Sequence, residues 1–477
     1  MPRARAMWPA VLCLALGVGC GAAAAPLARP AIRGEARARV GVRVPDGGPG
    51  RLVVGWVTGP SLDGIRPAID FLGAAEVRAV EGGSEQVIEL EAPPGEVTFG
   101  ALLDRSGQLM WTHLGAPIEG NARGATTVTL RPGATAELRI ELVVATAPPP
   151  GPTEERCAGP RHRLVIAEDA GVAGTIGNPT ARRLCVFLPP SYEGSPERRY
   201  PVIYVFPGLM GTDLNQTRPG SPIVQRADVI AAETGVELIL VGVDTSSRAG
   251  STYLVDSPLT GAWERFATTS MIEAIDSRFR TLARADARAV TGHSTGGFNS
   301  MSIALRHPEL FGVVASSSPD ALDLEAWLFD EHGDVEPLWL GWMRVEDAVG
   351  VPGQLSSYAA DWSPDASAAR GFLWPVDLES GARIDAVWAR WAANSPIEML
   401  RDQEGLARAR RLSGHMFLTC GRTDEARLFE PTERFHEELV RAGIEHEWVP
   451  TEGGHLDDAE NRIAQRMAFL AGALPRE

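Results

Sequence analysis

Residues 288–308 read Arg-Ala-Val-Thr-Gly-His-Ser-Thr-Gly-Gly-Phe-Asn-Ser-Met-Ser-Ile-Ala-Leu-Arg-His-Pro, and this stretch decides the architecture. Arg288–Thr291 reads as a strand and Gly297–Arg306 as a helix stopped by Pro308. Gly292-His293-Ser294-Thr295-Gly296 is the turn that joins them. A G-x-S-x-G turn brings strand and helix backbones very close, so its outer positions must be small. It lifts the serine hydroxyl above the end of the sheet. In a chain with 51 glycines the spacing alone is weak. The strand before it and the helix after it give it meaning.

The same texture continues outward on both sides. Apolar runs at Leu184–Leu188, Val202–Phe206, Leu238–Val243, Ala289–Thr291, Val313–Ser316 and His415–Thr419 predict strands. Ile223–Thr234, Trp263–Ser277, Gly297–Arg306 and Pro431–Ala442 predict helices. Unbroken apolar strands alternating with helices imply a mostly parallel sheet covered on both faces. The fold class expected for residues 161–477 is therefore α/β, of the α/β-hydrolase type.

A serine hydroxyl needs a base to take its proton, and the base needs a carboxylate to orient it. In this fold the chain order is serine, acid, histidine. Four of the nine histidines lie near the C-terminus. His415 begins a strand, His436 falls mid-helix on a face read as solvated, and His446 sits in a short strand. His455 lies in Glu452-Gly453-Gly454-His455, a glycine-rich loop from which a ring can reach across the sheet top, and is the expected base. Asp424, in Gly421-Arg422-Thr423-Asp424-Glu425 after the strand ending near Cys420, is the expected acid. Glu425, Asp457 and Asp458 stand close enough to keep that choice open. The oxyanion of a tetrahedral intermediate needs two N–H donors. The Thr295 amide is one, and the Leu209 amide, in Pro207-Gly208-Leu209-Met210-Gly211 after the strand Val202–Phe206, is the other.

Further stretches carry a resemblance: Leu188-Pro189-Pro190-Ser191-Tyr192, Tyr200-Pro201-Val202, residues 257–264 (Ser-Pro-Leu-Thr-Gly-Ala-Trp-Glu) and residues 275–281 (Ile-Asp-Ser-Arg-Phe-Arg-Thr). Gly292-His293-Ser294-Thr295-Gly296-Gly297, residues 306–311 (Arg-His-Pro-Glu-Leu-Phe), Gly421 through Asp424 and Gly453-Gly454-His455 complete the set. Together they resemble the esterase family that includes esterase D (S-formylglutathione hydrolase), feruloyl esterases and mycolyltransferases, over about 160–477. The resemblance implies Ser294, Asp424 and His455 as the triad and Leu209 as an oxyanion donor. Two departures stand out. Pro207 occupies a place where family members often have histidine, serine or aspartate, and the region between Ser318 and His415 is long. That region, read as a cap or insertion at about 319–400, holds seven of the twelve tryptophans: Trp327, Trp339, Trp342, Trp362, Trp374, Trp388 and Trp391. Indole faces suit sugar rings and acyl chains, but packing within the cap is the better reading for most of them, above all Trp388 and Trp391.

Residues 36–145 differ in kind. Short strand candidates at Arg39–Val44, Arg51–Val57, Gln86–Glu91, Val97–Leu103, Thr126–Leu130 and Glu137–Val144 are divided by glycine- and proline-rich turns, the pattern of an all-β sandwich. A proline-rich linker at 146–160 follows it. The first 25 residues read as a secretory or lipoprotein signal. Arg3 and Arg5 precede a short apolar run, and Leu16-Gly17-Val18-Gly19-Cys20 suggests lipidation at Cys20, with plain cleavage within Ala22–Ala25 as the alternative. Export places Cys157, Cys185 and Cys420 where a disulfide survives. A Cys157–Cys185 bridge and buried free thiols are both open.

Composition bounds the chemistry. All 45 basic residues are arginine, so Schiff-base and lysine-dependent phosphate chemistry are excluded. A formal charge of −16 argues against nucleic acid as a partner. The expectation is an exported serine esterase acting on a small-molecule or glycan ester, with no metal or organic cofactor and membrane attachment only through Cys20. Acyl transfer by the same triad is the alternative. A cell-surface binding protein on a relict fold is a more distant one.

Overall fold

A computed structural model describes residues 36–476 apart from 49, 59–75, 93, 105–111, 114–115, 118–121, 145–156 and 350–352. The stretch read as a signal, with Cys20, and most of the stretch read as a proline-rich linker lie outside the described residues. The described chain falls into two compact units. One holds the strands from Ala36 to Val144; the other begins at Cys157 and excludes Gly341–Ser356.

In the first unit, β1 (Ala36–Arg43), β4 (Glu85–Ala92) and β7 (Thr135–Glu141) form a sheet in the order β4-β1-β7. A second sheet, antiparallel throughout, runs β8-β6-β5-β2-β3. Its strands are β2 (Gly50–Thr58), β3 (Glu76–Val80), β5 (Gly95–Asp104), β6 (Ala122–Leu130) and β8 (Val143–Val144). Alternation decides which face is buried. Along β1, Ala36, Ala38, Val40 and Val42 point inward while Arg37 and Arg39 stay in water. One apolar cluster draws on both sheets, through Val40, Leu52, Val54, Ile88, Phe99 and Ile140. Each such fully buried aliphatic or aromatic side chain stabilises by about 1.5–3 kcal/mol.

The second unit is built on an eight-stranded sheet in the order β9-β10-β12-β11-β13-β14-β15-β16. Its strands are β9 (His162–Glu168), β10 (Ala181–Phe187), β11 (Val202–Phe206), β12 (Ile239–Val243), β13 (Arg288–Ser294), β14 (Val313–Pro319), β15 (Met416–Thr419) and β16 (Glu447–Trp448). β9 pairs antiparallel with β10 and β10 antiparallel with β12, and all the other pairings are parallel. Every residue of β11, β12, β14 and β15 is buried, as strands covered on both faces require. The chain order reverses at β11, with β12 on one side of it and β13 on the other. The carboxyl ends of β11 and β13 therefore flank a topological switch point, the usual site crevice of such sheets.

Helices α1 (Pro222–Thr234), α2 (Thr295–Arg306), α3 (Gln354–Trp362), α4 (Phe429–Arg441) and α5 (Ala459–Ala473) carry the argument below. Proline begins α1, where its missing N–H costs nothing, and Gly235 ends it in the left-handed conformation. On one face of the sheet, Ile203, Val205, Leu240, Ala289 and Phe417 pack with Ile223, Ile230, Met467 and Leu470 from α1 and α5. α2 is buried along its whole length up to Arg306. It starts two residues earlier than its sequence suggests, because the helix begins directly after the strained turn residue Ser294. β9 was not legible as a strand, since its apolar run Leu164–Ala167 is only four residues long, between Arg163 and Glu168, at the antiparallel end of the sheet.

Between Asp320 and Arg401 the tryptophans pack on one another and on neighbouring aromatics. Trp327 and Trp339 lie 4.1 Å apart between ring centres, Tyr358 stacks on Trp362 at 4.3 Å, and Trp391 meets Trp362 edge-on at 5.6 Å. Cys157 is disulfide-bonded to Cys185 in β10, and Cys420 is a buried free thiol.

Candidate active site

Ser294 is the last residue of β13, and α2 begins at the next one. Its backbone takes φ 59° and ψ −127°, a strained conformation for a residue with a side chain. The surroundings enforce it. A Cβ on Gly296 would sit 2.1 Å from the Phe206 carbonyl oxygen, so only glycine lets α2 start this close to β11. After β11, the Gly211 amide donates to the Gly208 carbonyl at 2.9 Å, with Met210 at φ 58°. This tight turn carries the Leu209 amide. Gly208 lies against the Ser294 turn, its Cβ position 3.7 Å from the Ser294 Cβ. The Thr295 amide stands at the first position of α2, where helical N–H groups have no partner within the helix.

The loops after β15 and β16 meet because Gly421 bridges to Thr451. A Cβ on Gly421 would fall 2.1 Å from the Gly453 carbonyl oxygen. Across this contact His455 Nδ1 and Asp424 Oδ2 lie 2.7 Å apart, both side chains shielded from solvent. The carboxylate also accepts from the Ala426 amide at 2.9 Å and from the Cys420 thiol at 3.7 Å. With Nδ1 donating to Asp424, Nε2 of a neutral His455 is left as the acceptor.

The competing carboxylates have other partners. Glu425 accepts from the His455 amide at 2.7 Å, Asp457 from the Gly454 amide at 2.8 Å, and Asp458 from the Asn461 side chain at 2.8 Å. Two of them therefore hold the histidine loop rather than the imidazole. The other C-terminal histidines lie elsewhere. His415 is exposed before β15, at the strand end opposite the Asp424 loop. The solvated face read for His436 is corrected. Its Nδ1 lies 2.7 Å from His446 Nε2, and its ring stacks on Trp448, because β16 comes up beside α4.

Four further residues at this site carry little signal in the sequence. Asp320, the first residue after β14, is buried and accepts from Thr295 Oγ1 at 2.7 Å and Tyr253 OH at 2.9 Å. Among the described residues the Ser294 hydroxyl is bonded to Asp320 Oδ1, at 3.3 Å, and not to the His455 ring. Burial pushes the Asp320 carboxyl above its ordinary range. His293 packs on His455 with ring centres 4.7 Å apart, and burial holds it neutral, well below the usual histidine range. Arg462 and Arg466, one turn apart on α5, are both buried. Arg462 donates to the Gly454 and His455 carbonyls at 2.6 and 3.0 Å, and to Ser318 Oγ at 2.9 Å. Arg466 donates to the Gly292 carbonyl at 2.8 Å, and burial lowers it to about 10. An i, i+4 arginine pair on an amphipathic helix reads as a water-facing stripe, which is why sequence alone misses it. Among the described residues no three His, Cys, Asp or Glu side chains gather as a metal site.

The chain is 28% identical over 283 residues to two curated proteins of Mycobacterium tuberculosis, Esterase MT1326 (strain CDC 1551 / Oshkosh) and Esterase Rv1288 (strain ATCC 25618 / H37Rv). The match takes in 57% of this chain and 52% of each relative, so the chain spans about half the length of the curated relatives it matches. A solved ferulic acid esterase aligns with 18% identity and a TM-score of 0.44, over 66% of this chain and all of that one. A family model described as "Putative esterase" matches residues 178–456, more than half of the chain, and the chain belongs to that esterase family.

Proposed function

We propose that the protein is an exported serine esterase that cleaves carboxylic esters through Ser294, His455 and Asp424. The observation that carries the reading is the buried 2.7 Å pairing of His455 Nδ1 with Asp424 beside a strained serine turn. His455 Nε2 takes the Ser294 proton as Oγ bonds to the ester carbonyl carbon, and the carbonyl oxygen becomes an oxyanion. The Leu209 and Thr295 amides donate to that oxyanion; removing one such donor typically costs about a hundredfold to a thousandfold in kcat. The tetrahedral adduct then collapses. The imidazolium returns its proton to the leaving alkoxide, the alcohol departs, and an acyl-serine remains. Water repeats the cycle on the acyl-serine and releases the acid.

The basic, apolar and small-residue run of the first 25 residues supports export, with attachment through a lipidated Cys20. The two-sheet N-terminal unit is read as an accessory sandwich module of the same chain, and the tryptophan-rich insertion as a cap that limits water. Acylated carbohydrate or a small ester is the substrate class that fits an exported enzyme of this build. Incubation with short-chain and hydroxycinnamoyl esters, with and without added alcohol acceptors, tests the reading. Acid release that disappears in Ser294→Ala supports hydrolysis. Product partition dominated by new esters would replace hydrolysis with acyl transfer, and no turnover of any activated ester would refute both.

A further inference from the structure

Asp320 grips Ser294 from two directions. Its amide donates to the Ser294 carbonyl at 3.1 Å, and its Oδ1 accepts from the Ser294 hydroxyl at 3.3 Å. Its Oδ2 accepts from Thr295 Oγ1 and from Tyr253 OH. A buried carboxylate with three hydroxyl donors and, among the described residues, no arginine partner is costly to maintain. Its placement binds both halves of the proposed machinery, the nucleophile and the residue whose amide faces the oxyanion. Tyr253 extends the connection. Its amide donates to Asp361 at 2.6 Å, and its ring lies 4.1 Å from Tyr358 and 5.3 Å from Trp362. Tyr358, Asp361 and Trp362 all belong to α3, within the tryptophan-rich insertion.

We propose that Asp320 is a positioning residue of the catalytic site. It parks the Ser294 hydroxyl in the resting enzyme, fixes Thr295 at the oxyanion position, and is itself held by Tyr253, which ties it to the insertion. The inference rests on the serine-esterase reading above. Attack requires the hydroxyl to leave Asp320 for His455 Nε2, a side-chain rotation of Ser294 that keeps the backbone turn in place. No atom is transferred to Asp320 in this step; the proton goes to His455, and Asp320 keeps its bonds to Thr295 and Tyr253.

The charge of Asp320 also reaches the base. The titratable groups facing Asp320 are Tyr253 and His455; those facing His455 are Asp424, His293 and Asp320, with Arg462 on its carbonyl. A nearby anion favours the imidazolium. An amide at 320 removes that anion while keeping the shape, so activity should persist to lower pH. A role in folding alone would not move the profile.

The test uses the full chain as Asp320→Asn and Tyr253→Phe, with Ser294→Ala as the dead control and an activated ester as probe. For Asp320→Asn the expected result is a fall in kcat of about tenfold to a hundredfold with KM within threefold. The acid limb of kcat/KM should move down by about half a pH unit. Tyr253→Phe should lower kcat by about threefold to tenfold with the limb less displaced. Activity within twofold of wild type and an unmoved acid limb in Asp320→Asn would overturn the proposal. If Asp320→Asn does not fold, Tyr253→Phe decides, and an unchanged kcat there overturns it. A wild-type protein inert to activated esters would sink the esterase reading and this proposal with it, whereas an active wild type beside an unaffected Asp320→Asn sinks this proposal alone.

Discussion

The imidazole of His455 and the carboxylate of Asp424 meet at 2.7 Å, in a contact closed to solvent on both sides. Water cannot replace either partner there, so the ring has one orientation and one tautomer. Removing the carboxylate should therefore cost turnover far more than binding. Asp424→Asn is expected to lower kcat by about a thousandfold to ten-thousandfold with little change in KM, measured by steady-state hydrolysis of an activated ester. Equal activity in Asp424→Asn, with loss in Glu425→Gln instead, would reassign the acid.

Arg462 supplies the other hold on the histidine loop. Its guanidinium serves the Gly454 and His455 carbonyls, Ser318 and Thr451 from a buried position, with no carboxylate partner among the described residues. Arg462→Met keeps much of the volume but leaves those acceptors unpaired, at a cost of about 2–4 kcal/mol. A lowered Tm accompanied by a drop in kcat is expected. An unaltered kcat would show that His455 keeps its place without α5.

Asp361 gives stability a pH signature. Burial, only partly offset by bonds from Thr260, the Tyr253 amide and Thr252, raises its carboxyl to about 7. Since this lies above the unfolded value of about 4, the folded state holds the proton more tightly. The contribution is whole below about pH 4 and is lost as pH rises through about 7, by an amount of order 4 kcal/mol. Asp213, raised to about 6 by burial, acts in the same direction over a narrower window. Denaturant unfolding from pH 4 to 8 should show a downward slope in wild type that flattens in Asp361→Asn. Parallel slopes in the two proteins would contradict this.

The Cys157–Cys185 bridge spans 28 residues of sequence and ties the start of the second unit to β10. Closing a loop of that size stabilises by about 3–4 kcal/mol through the unfolded chain. Cys185→Ala should unfold at lower denaturant, and wild type treated with reductant should approach it. Identical midpoints for oxidised and reduced wild type would remove the bridge from the account.

How much of this was legible depends on where the information sits. The strand Val202–Phe206 and the helix Gly297–Arg306 announce themselves through composition, because burial on both faces demands unbroken small and apolar residues. Ser294, Asp424 and His455 are legible because each sits in a turn whose glycines are forced by close backbone approach. The choice among Asp424, Glu425, Asp457 and Asp458 is not local. It is made by the Gly421–Thr451 bridge, a contact between two loops 30 residues apart in sequence. Asp320 and the Arg462–Arg466 pair escape for the same reason. A lone carboxylate after a strand, or two arginines on a helix, normally belongs to the surface, and only the packed sheet top reveals otherwise. The cysteine pairing likewise needed the register of β10.

The central claim is that Ser294 is the activated nucleophile. Labelling the full-length protein with a fluorophosphonate and mapping the adduct by mass spectrometry tests it most directly. One adduct is expected, on Ser294, formed slowly in Asp424→Asn and absent in Ser294→Ala. An adduct on another residue, or none on a folded wild-type protein, would contradict it.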